Sequence, residues 1–310
     1  MMSKIKQCLK KNETIVGLYK KWQALEFKLI SQLSFVSPEL VSRIRYKRSF
    51  GRRLDLKNPT YFNEKLMWLK LKKYANNPLV RQCADKFAVR EYIEQCGLGH
   101  ILNDLIGAWD RPEDIDWNAL PNRFVIKCNH GAGYNLVCKD KSKFDIAGAN
   151  EKLKAWLKDE YWIQYAEVQY RGIQKKIICE KYLEGKKDAL PVDYKIYCFN
   201  GKPLYIGNFI ERNMEEKFIL RGYFDLDWNP SSVFRYEMDV KKFERPKCLE
   251  EMLSYAEILS KPFPFVRVDF YEVNGKVYFG ELTFTPTGCI ATYYADEAYL
   301  QLGEALNVEG

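Results

Sequence analysis

Only two histidines, His100 and His130, occur in the 310 residues. A histidine-rich metal centre is therefore excluded, and any metal must be held by oxygen ligands, which points to Mg2+ or Mn2+. The nine cysteines form no C-x-x-C pair, and their number is odd. Scattered in apolar runs such as Ile178-Cys179 and Tyr197-Cys198-Phe199, they read as small buried hydrophobes of a reducing, cytoplasmic compartment. No apolar run approaches the ~18 residues of a membrane span. The N-terminus lacks the compact apolar stretch and small-residue cleavage site of a secretory signal. No Ser/His/Asp or Cys/His arrangement suggests a side-chain nucleophile.

What is present is a core-forming chain, with 47% hydrophobic and 15% aromatic residues, so disorder is excluded for most of it. Lys and Arg number 49 against 41 Asp and Glu, a formal charge of +8. Residues 1–36 have the pattern of a basic amphipathic helix. Leu18, Trp22, Leu25, Leu29 and Leu33 recur at helical spacing, with Lys20, Lys21 and Lys28 between them. Two readings stand: a helix docked on the main body, or a peripheral grip on the anionic inner membrane surface. A basic cluster follows at Arg43, Arg45, Lys47, Arg48, Arg52 and Arg53. It is either a solvated face or a surface for a polyanion. No nucleic-acid motif accompanies it, and an acidic saccharide suits it equally on charge.

Residues 58–73 read as a helix capped by Asn63 or Thr60, and 79–96 as one helix ended by Gly97 and Gly99. Asp110 to Asn122 is a connector. Phe124-Val125-Ile126-Lys127 is a short strand, followed by a loop containing Gly131 and Gly133 and a second strand at 136–138. A glycine loop between strands, with no helix after it, argues against Rossmann and Walker-A arrangements. It is an ordinary hairpin or a phosphate-wrapping loop. Residues 145–170 read as helical, and 177–180 as a strand. Residues 192–199 pair with 204–207 through an Asn200-Gly201 turn. Asp193, Lys195 and Tyr197 share one face there, either a site face or a solvent face. Residues 212–247 read as loop or lid, and 248–260 as a helix.

Two apolar strands, 265–273 and 277–284, flank Asn274-Gly275. A two-residue turn would place Asp269 opposite Gly280 and send Glu281 to the other face of the sheet. A three-residue loop would place Asp269 opposite Glu281 and Arg267 opposite Thr283. Two buried carboxylates facing each other need protonation or a cation. A divalent metal satisfies both, so the longer loop is the expected one and the short turn is the alternative.

This constellation resembles the TupA-like ATP-grasp family of bacterial cell-surface polysaccharide gene clusters. The likeness spans roughly residues 45 to 307. It rests on Asn63-Glu64-Lys65 with Trp68, Asp85-Lys86 with Arg90, Phe124 to Gly131, Asp193-Tyr194-Lys195, Arg267-Val268-Asp269-Phe270 and Gly280 to Phe284. The resemblance implies an α+β ATP-grasp fold, two subdomains gripping ATP between them, behind a helical basic N-terminal extension. It implies a helical region at 1–78 for acceptor or membrane-surface binding, a lead-in and connector at 79–120, a small subdomain at 121–185 and a large one at 186–310.

The resemblance also implies roles. Lys86 and Lys127 neutralise ATP phosphates. His130, Gly131 and Gly133 belong to the flap over them. Glu180, Lys181, Tyr182 and Leu183 form the adenine hinge, and Asp193 joins the nucleotide-binding set. Asp269 and Glu281 bind Mg2+ or Mn2+, with Thr283 where the superfamily usually has Asn. Arg267 steadies the transferring phosphoryl group, and Lys195 stands with it as catalytic. Arg45, Arg48 and Arg52 are the candidates for binding an acidic saccharide or lipid-linked glycan acceptor, alongside a small amine donor.

The implied activity is ATP-dependent joining of an amine, such as an amino acid, to a uronic-acid carboxylate through an acyl phosphate. The alternatives are phosphoryl transfer to a sugar and a non-catalytic polysaccharide-binding or glycosyltransferase-associated protein. The last predicts no Mg-ATP binding.

Overall fold

The computed structural model describes residues 13–185, 190–213, 218–235 and 238–309. The expectations that fall on 1–12, 186–189, 214–217, 236–237 and 310 lie outside them. The chain opens with two helices, α1 (Glu13–Gln32) and α2 (Pro38–Phe50). Ser37 caps α2, and Gly51, with φ +70°, ends it. The α1 helix lies on the body through Phe27, Ile30, Ser31 and Ser34. Phe27 meets Tyr165 edge-on, Phe35 meets Trp162, and the Ser34 hydroxyl donates to the Ile163 carbonyl.

The next helix, α3 (Phe62–Trp68), is not capped by Asn63 or Thr60. The Glu64 carboxylate accepts from the Thr60 and Tyr61 N–H groups instead, while the buried Asn63 amide donates to the Cys289 carbonyl. The expected helix at 79–96 is two, α4 (Pro78–Ala84) and α5 (Val89–Gln95). Asp85 breaks it, because its Oδ1 accepts from the Phe87 and Ala88 N–H groups.

A four-stranded antiparallel sheet follows, ordered β1-β4-β2-β3: β1 (Leu105–Trp109), β2 (Phe124–Cys128), β3 (Asn135–Cys138) and β4 (Ile177–Lys181). The sequence showed no signal for β1, which pairs along β4 at the sheet edge. Helix α6 (Ile146–Lys158) stops well short of 170, and short 3-10 turns carry the aromatic residues beyond it. Phe124, Ile126 and Cys128 face a core with Leu153, Ile177 and Cys179. Period two therefore turns Val125 and Lys127 to the other face.

The second sheet has five antiparallel strands ordered β7-β6-β5-β8-β9: β5 (Asp193–Phe199), β6 (Lys202–Asn213), β7 (Phe218–Phe224), β8 (Phe265–Val273) and β9 (Lys276–Thr283). Part of the stretch expected to be a loop is thus strand. Helix α7 (Leu249–Ser260) covers β5, β6 and β8. Val266, Val268, Phe270 and Leu282 point into the main core, which also takes in α3 to α5 and the C-terminal helix α8 (Ala298–Ala305). Every residue of β5 is buried, so the Asp193-Lys195-Tyr197 stripe is not a solvent face.

The register of the carboxylate hairpin arises differently from the expectation. Asn274 and Gly275 have φ of +54° and +72°, and Val273 pairs with Lys276, so the turn has two residues. The odd residue is inserted at Gly280. Phe270 pairs with Phe279, but Asp269 pairs with Glu281 and Arg267 with Thr283. A bulge in β9 thus returns Glu281 to the face of Asp269. A Cβ on Gly280 would lie 2.9 Å from the Asp269 carbonyl oxygen, so glycine is what lets the strands close.

Candidate active site

Five antiparallel strands place Lys195, Asp269 and Glu281 side by side across β5, β8 and β9. One pair further along, Tyr197, Arg267 and Thr283 form the next row. Lys195 Nζ lies 2.5 Å from Asp269 Oδ2 and 2.7 Å from Asp193 Oδ2. Arg267 grips Asp269 with two bonds, Nε to Oδ1 and Nη2 to Oδ2, both 2.6 Å. Its Nη2 also reaches the Thr283 hydroxyl at 2.9 Å and Glu281 Oε1 at 3.2 Å. The Thr283 hydroxyl donates to Glu281 at 2.9 Å.

Charge compensation sets the protonation states. Burial pushes the Glu281 carboxyl up, but Lys86, Arg267 and Lys195 together bring it down to about 2. Burial and Arg267 disfavour the Lys195 cation, yet Asp193, Asp269 and Glu281 outweigh them and hold its pKa above the usual lysine value. Burial likewise opposes the Arg267 cation, and Asp269 overrides it. Burial pushes the Asp269 carboxyl up, with Arg267 and Lys195 pulling the other way, so the four side chains form one charge-coupled network shared by three strands.

Lys86 links this network to the small sheet. Its Nζ donates to the Gly131 carbonyl at 2.6 Å and stands 3.6 Å from Glu281 Oε2. The break between α4 and α5 puts it there. Asp85 Oδ1 accepts from the Asn129 amide, and the Lys86 N–H donates to the Asn129 carbonyl. Asp85 and Asn129 are positioning residues that the sequence reading did not assign. Gly131 packs so closely on Tyr161 that a Cβ would fall 2.5 Å from its ring. On the open face of the small sheet, Lys127 Nζ pairs with Glu180 Oε2 at 2.6 Å, and Arg90 approaches the other oxygen at 3.8 Å.

Other expected residues are placed otherwise. The His130 ring is buried against Tyr134, its Nε2 bonds the Trp156 carbonyl, and burial lowers its pKa. That placement packs the imidazole against Tyr134 at the edge of the small-sheet core. At the hinge, the Lys181 N–H donates to Asp104 and its carbonyl accepts from Asn103, so both backbone groups already serve the fold. Tyr182 is buried under Arg123, whose guanidinium lies 4.5 Å from the ring centre, and Leu183 is half-buried. Gly133, with φ +80°, shapes the glycine loop.

The basic cluster works mainly inside the N-terminal region. Arg45 is buried. Its Nη2 donates to the Phe27 and Gln164 carbonyls and the Ser31 hydroxyl, and its guanidinium covers the Phe27 ring at 3.9 Å. The expectation of acceptor binding by Arg45 is therefore corrected: the side chain pins α1 and is not open to a ligand. Arg48 pairs with Glu26 at 2.6 Å, and Arg52 lies 3.5 Å over the Tyr61 ring while bonding the Tyr46 hydroxyl.

Two carboxylates and a hydroxyl are the oxygen donors that Mg2+ or Mn2+ takes, with water and phosphate completing the shell. Asp269, Glu281 and Thr283 fit such an ion by donor chemistry. Among the described residues no group of three or more His, Cys, Asp or Glu makes a metal cage by itself.

The sequence pattern of the TupA-like ATP-grasp family matches residues 64–307. The chain belongs to the TupA-like ATP-grasp family. Its family match covers both sheets and every cluster residue named above from Lys86 to Thr283. No curated protein matches this TupA-like chain. Solved structures similar to it include a D-alanine–D-alanine ligase from Bacillus anthracis, with 19% identity and a TM-score of 0.43, over 72% of this chain and 66% of that one. The purK N5-carboxyaminoimidazole ribonucleotide synthetase in its ADP complex gives 13% and 0.46, over 78% and 56%. An L-amino acid ligase from Bacillus licheniformis gives 16% and 0.41, over 71% and 47%. The TupA-like chain spans less than two thirds of the length of each.

Proposed function

We propose that this TupA-like ATP-grasp protein is an ATP-dependent carboxylate–amine ligase of surface-polysaccharide biosynthesis. It joins an amine, such as an amino acid, to a uronic-acid carboxylate. The substrate carboxylate oxygen attacks the γ-phosphorus of ATP, the bond to the β-phosphate oxygen breaks, and ADP leaves. The amine then attacks the acyl carbon of the acyl phosphate, phosphate departs, and the amine proton goes to solvent. Both steps bring anions together, so the protein's task is to gather positive charge where they meet.

The observation that carries this reading is the convergence of Lys195, Arg267 and Lys86 on the Asp269–Glu281 pair. In this reading Arg267 steadies the transferring phosphoryl group, and Lys86 and Lys127 neutralise the nucleotide phosphates. Asp269, Glu281 and Thr283 would hold the divalent ion, which supplies charge neutralisation of the triphosphate when bound. The family match supports ATP as the co-substrate.

A phosphate-release screen of amines against uronic acids with Mg-ATP tests the reading. ADP should accumulate only when both a carboxylate and an amine are present, with a new amide in the product. A phosphorylated sugar formed without an amine would identify a phosphotransferase instead, and absence of Mg-ATP binding a non-catalytic partner protein. Asp269→Asn should abolish turnover; the thermal midpoint should also fall, because Arg267 and Lys195 lose a buried counter-charge, while circular dichroism below that midpoint stays that of the folded wild type. Retained turnover would remove Asp269 from the metal-ligand role.

A further inference from the structure

We propose that the outer face of α1 and its continuation docks on an anionic lipid bilayer, with a headgroup phosphate received between Arg81 and Arg171. This rests on the N-terminal geometry and does not depend on the ligase reading.

The α1 helix and the turn that follows it present two faces, one packed on the body and one turned outward. One is buried on the body through Phe27, Ile30, Ser31 and Ser34. The other carries Trp22, Leu25, Leu29 and Leu33, a spacing of three, four and four residues that keeps one line along a helix. Val36 extends the line. Trp22, Leu25, Leu29 and Val36 are 56%, 56%, 60% and 85% exposed. A folded protein rarely leaves so long a row of large apolar side chains facing water unless something covers it.

Charge identifies the cover. The first 53 residues hold 13 Lys and Arg against 3 Asp and Glu, while the remaining chain holds 36 against 38. The chain's positive charge is therefore an N-terminal property. Two of the three acids are neutralised locally, Glu26 by Arg48 and Glu39 by Arg43 and Lys72. Lys21 and Lys28 lie seven residues apart along the border of the exposed stripe and are themselves exposed. An apolar line edged by lysines, with a tryptophan in it, matches the boundary between acyl chains and anionic headgroups. A second protein copy would bring its own positive charge to the same place.

Where the stripe ends, at Val36, a groove of about 560 Å³ begins. Leu71, Ala75 and Val168 form its apolar wall, and Arg81 and Arg171 supply the charge. Glu39 also lines it but is held by Arg43 and Lys72. No ion pair engages Arg81 or Arg171 among the described residues, and the buried Arg81 Nε has no hydrogen-bond partner. An apolar wall carrying two guanidinium groups suits a phosphate attached to an acyl chain.

The test is co-sedimentation of the full-length protein with vesicles of phosphatidylcholine alone or with roughly a third phosphatidylglycerol. Binding is expected to the anionic vesicles only and to weaken as salt rises. The double variant Leu25→Ser/Leu29→Ser alters exposed positions and should keep the wild-type thermal midpoint. It should bind more than about tenfold more weakly. Arg81→Ala/Arg171→Ala should also weaken binding; unchanged binding by that variant would remove the groove from the proposal. Equal binding to neutral and anionic vesicles, or none to either, would overturn the proposal. So would a dimer that the leucine variant dissolves, because the face would then belong to a second copy.

Discussion

The Glu281 side chain is a third exposed, and three cations hold its charge against the partial burial of its carboxyl. Its pKa falls from 4.5 to about 2 on folding. A carboxylate depressed in the folded state stabilises it fully above pH 4.5, and that contribution is lost as pH falls through about 2. Glu281→Gln should therefore flatten the acid limb of stability between those values, measured as the urea midpoint against pH. An unchanged limb would mean that Lys86, Arg267 and Lys195 do not act on Glu281. Gly280 is the other decisive residue. Gly280→Ala places a methyl group against the Asp269 carbonyl, so stability should drop by about 1–3 kcal/mol. ATP turnover should fall further than stability explains, because the bulge sets where Glu281 points.

The break between α4 and α5 exists to present one lysine. Asp85 competes for the backbone N–H groups of Phe87 and Ala88, and the same oxygen holds Asn129. Asp85→Ala should lower nucleotide affinity about tenfold in calorimetry while leaving the substrate-independent thermal midpoint less affected than turnover. Restoration by Asp85→Asn, which keeps the capping oxygen, would distinguish positioning from charge. The α1 helix is pinned in a comparable way by Arg45. Arg45→Ala orphans the acceptors that Arg45 serves and loses the stack on Phe27, so it should destabilise the protein by about 2 kcal/mol. The apparent KM for an acidic acceptor should not move, as measured by steady-state kinetics; a raised KM at unchanged stability would return Arg45 to the acceptor site.

On the scale of the molecule, Lys86 bridges two sheets with separate cores: it is bonded to the Gly131 carbonyl on one side while it approaches Glu281 on the other. A ligand that draws on both sides stabilises the folded state by mass action. Mg-ATP should raise the thermal midpoint of the wild type, and Lys127→Ala should shrink that rise at the same nucleotide concentration. An equal rise in both proteins would place Lys127 outside the nucleotide site. No described helix is long and apolar enough to cross a membrane.

Much of this was legible beforehand. The alternation in β5, β8 and β9 and the Asn-Gly turns identified the hairpins, because strand period and turn chemistry are local. The order of the charged motifs was enough to suggest the family. The sequence could not say that Gly280, rather than the loop, supplies the odd residue, since a bulge depends on how two strands close on each other. It did not reveal β1, whose pairing exists only once β4 is beside it. Nor did it separate Arg45, buried and pinned, from the solvent-facing Lys47 nearby. Local sequence determined which residues carry charge and which face each strand shows; only packing between distant segments decided which charges meet, because burial and register are properties of the assembled sheets.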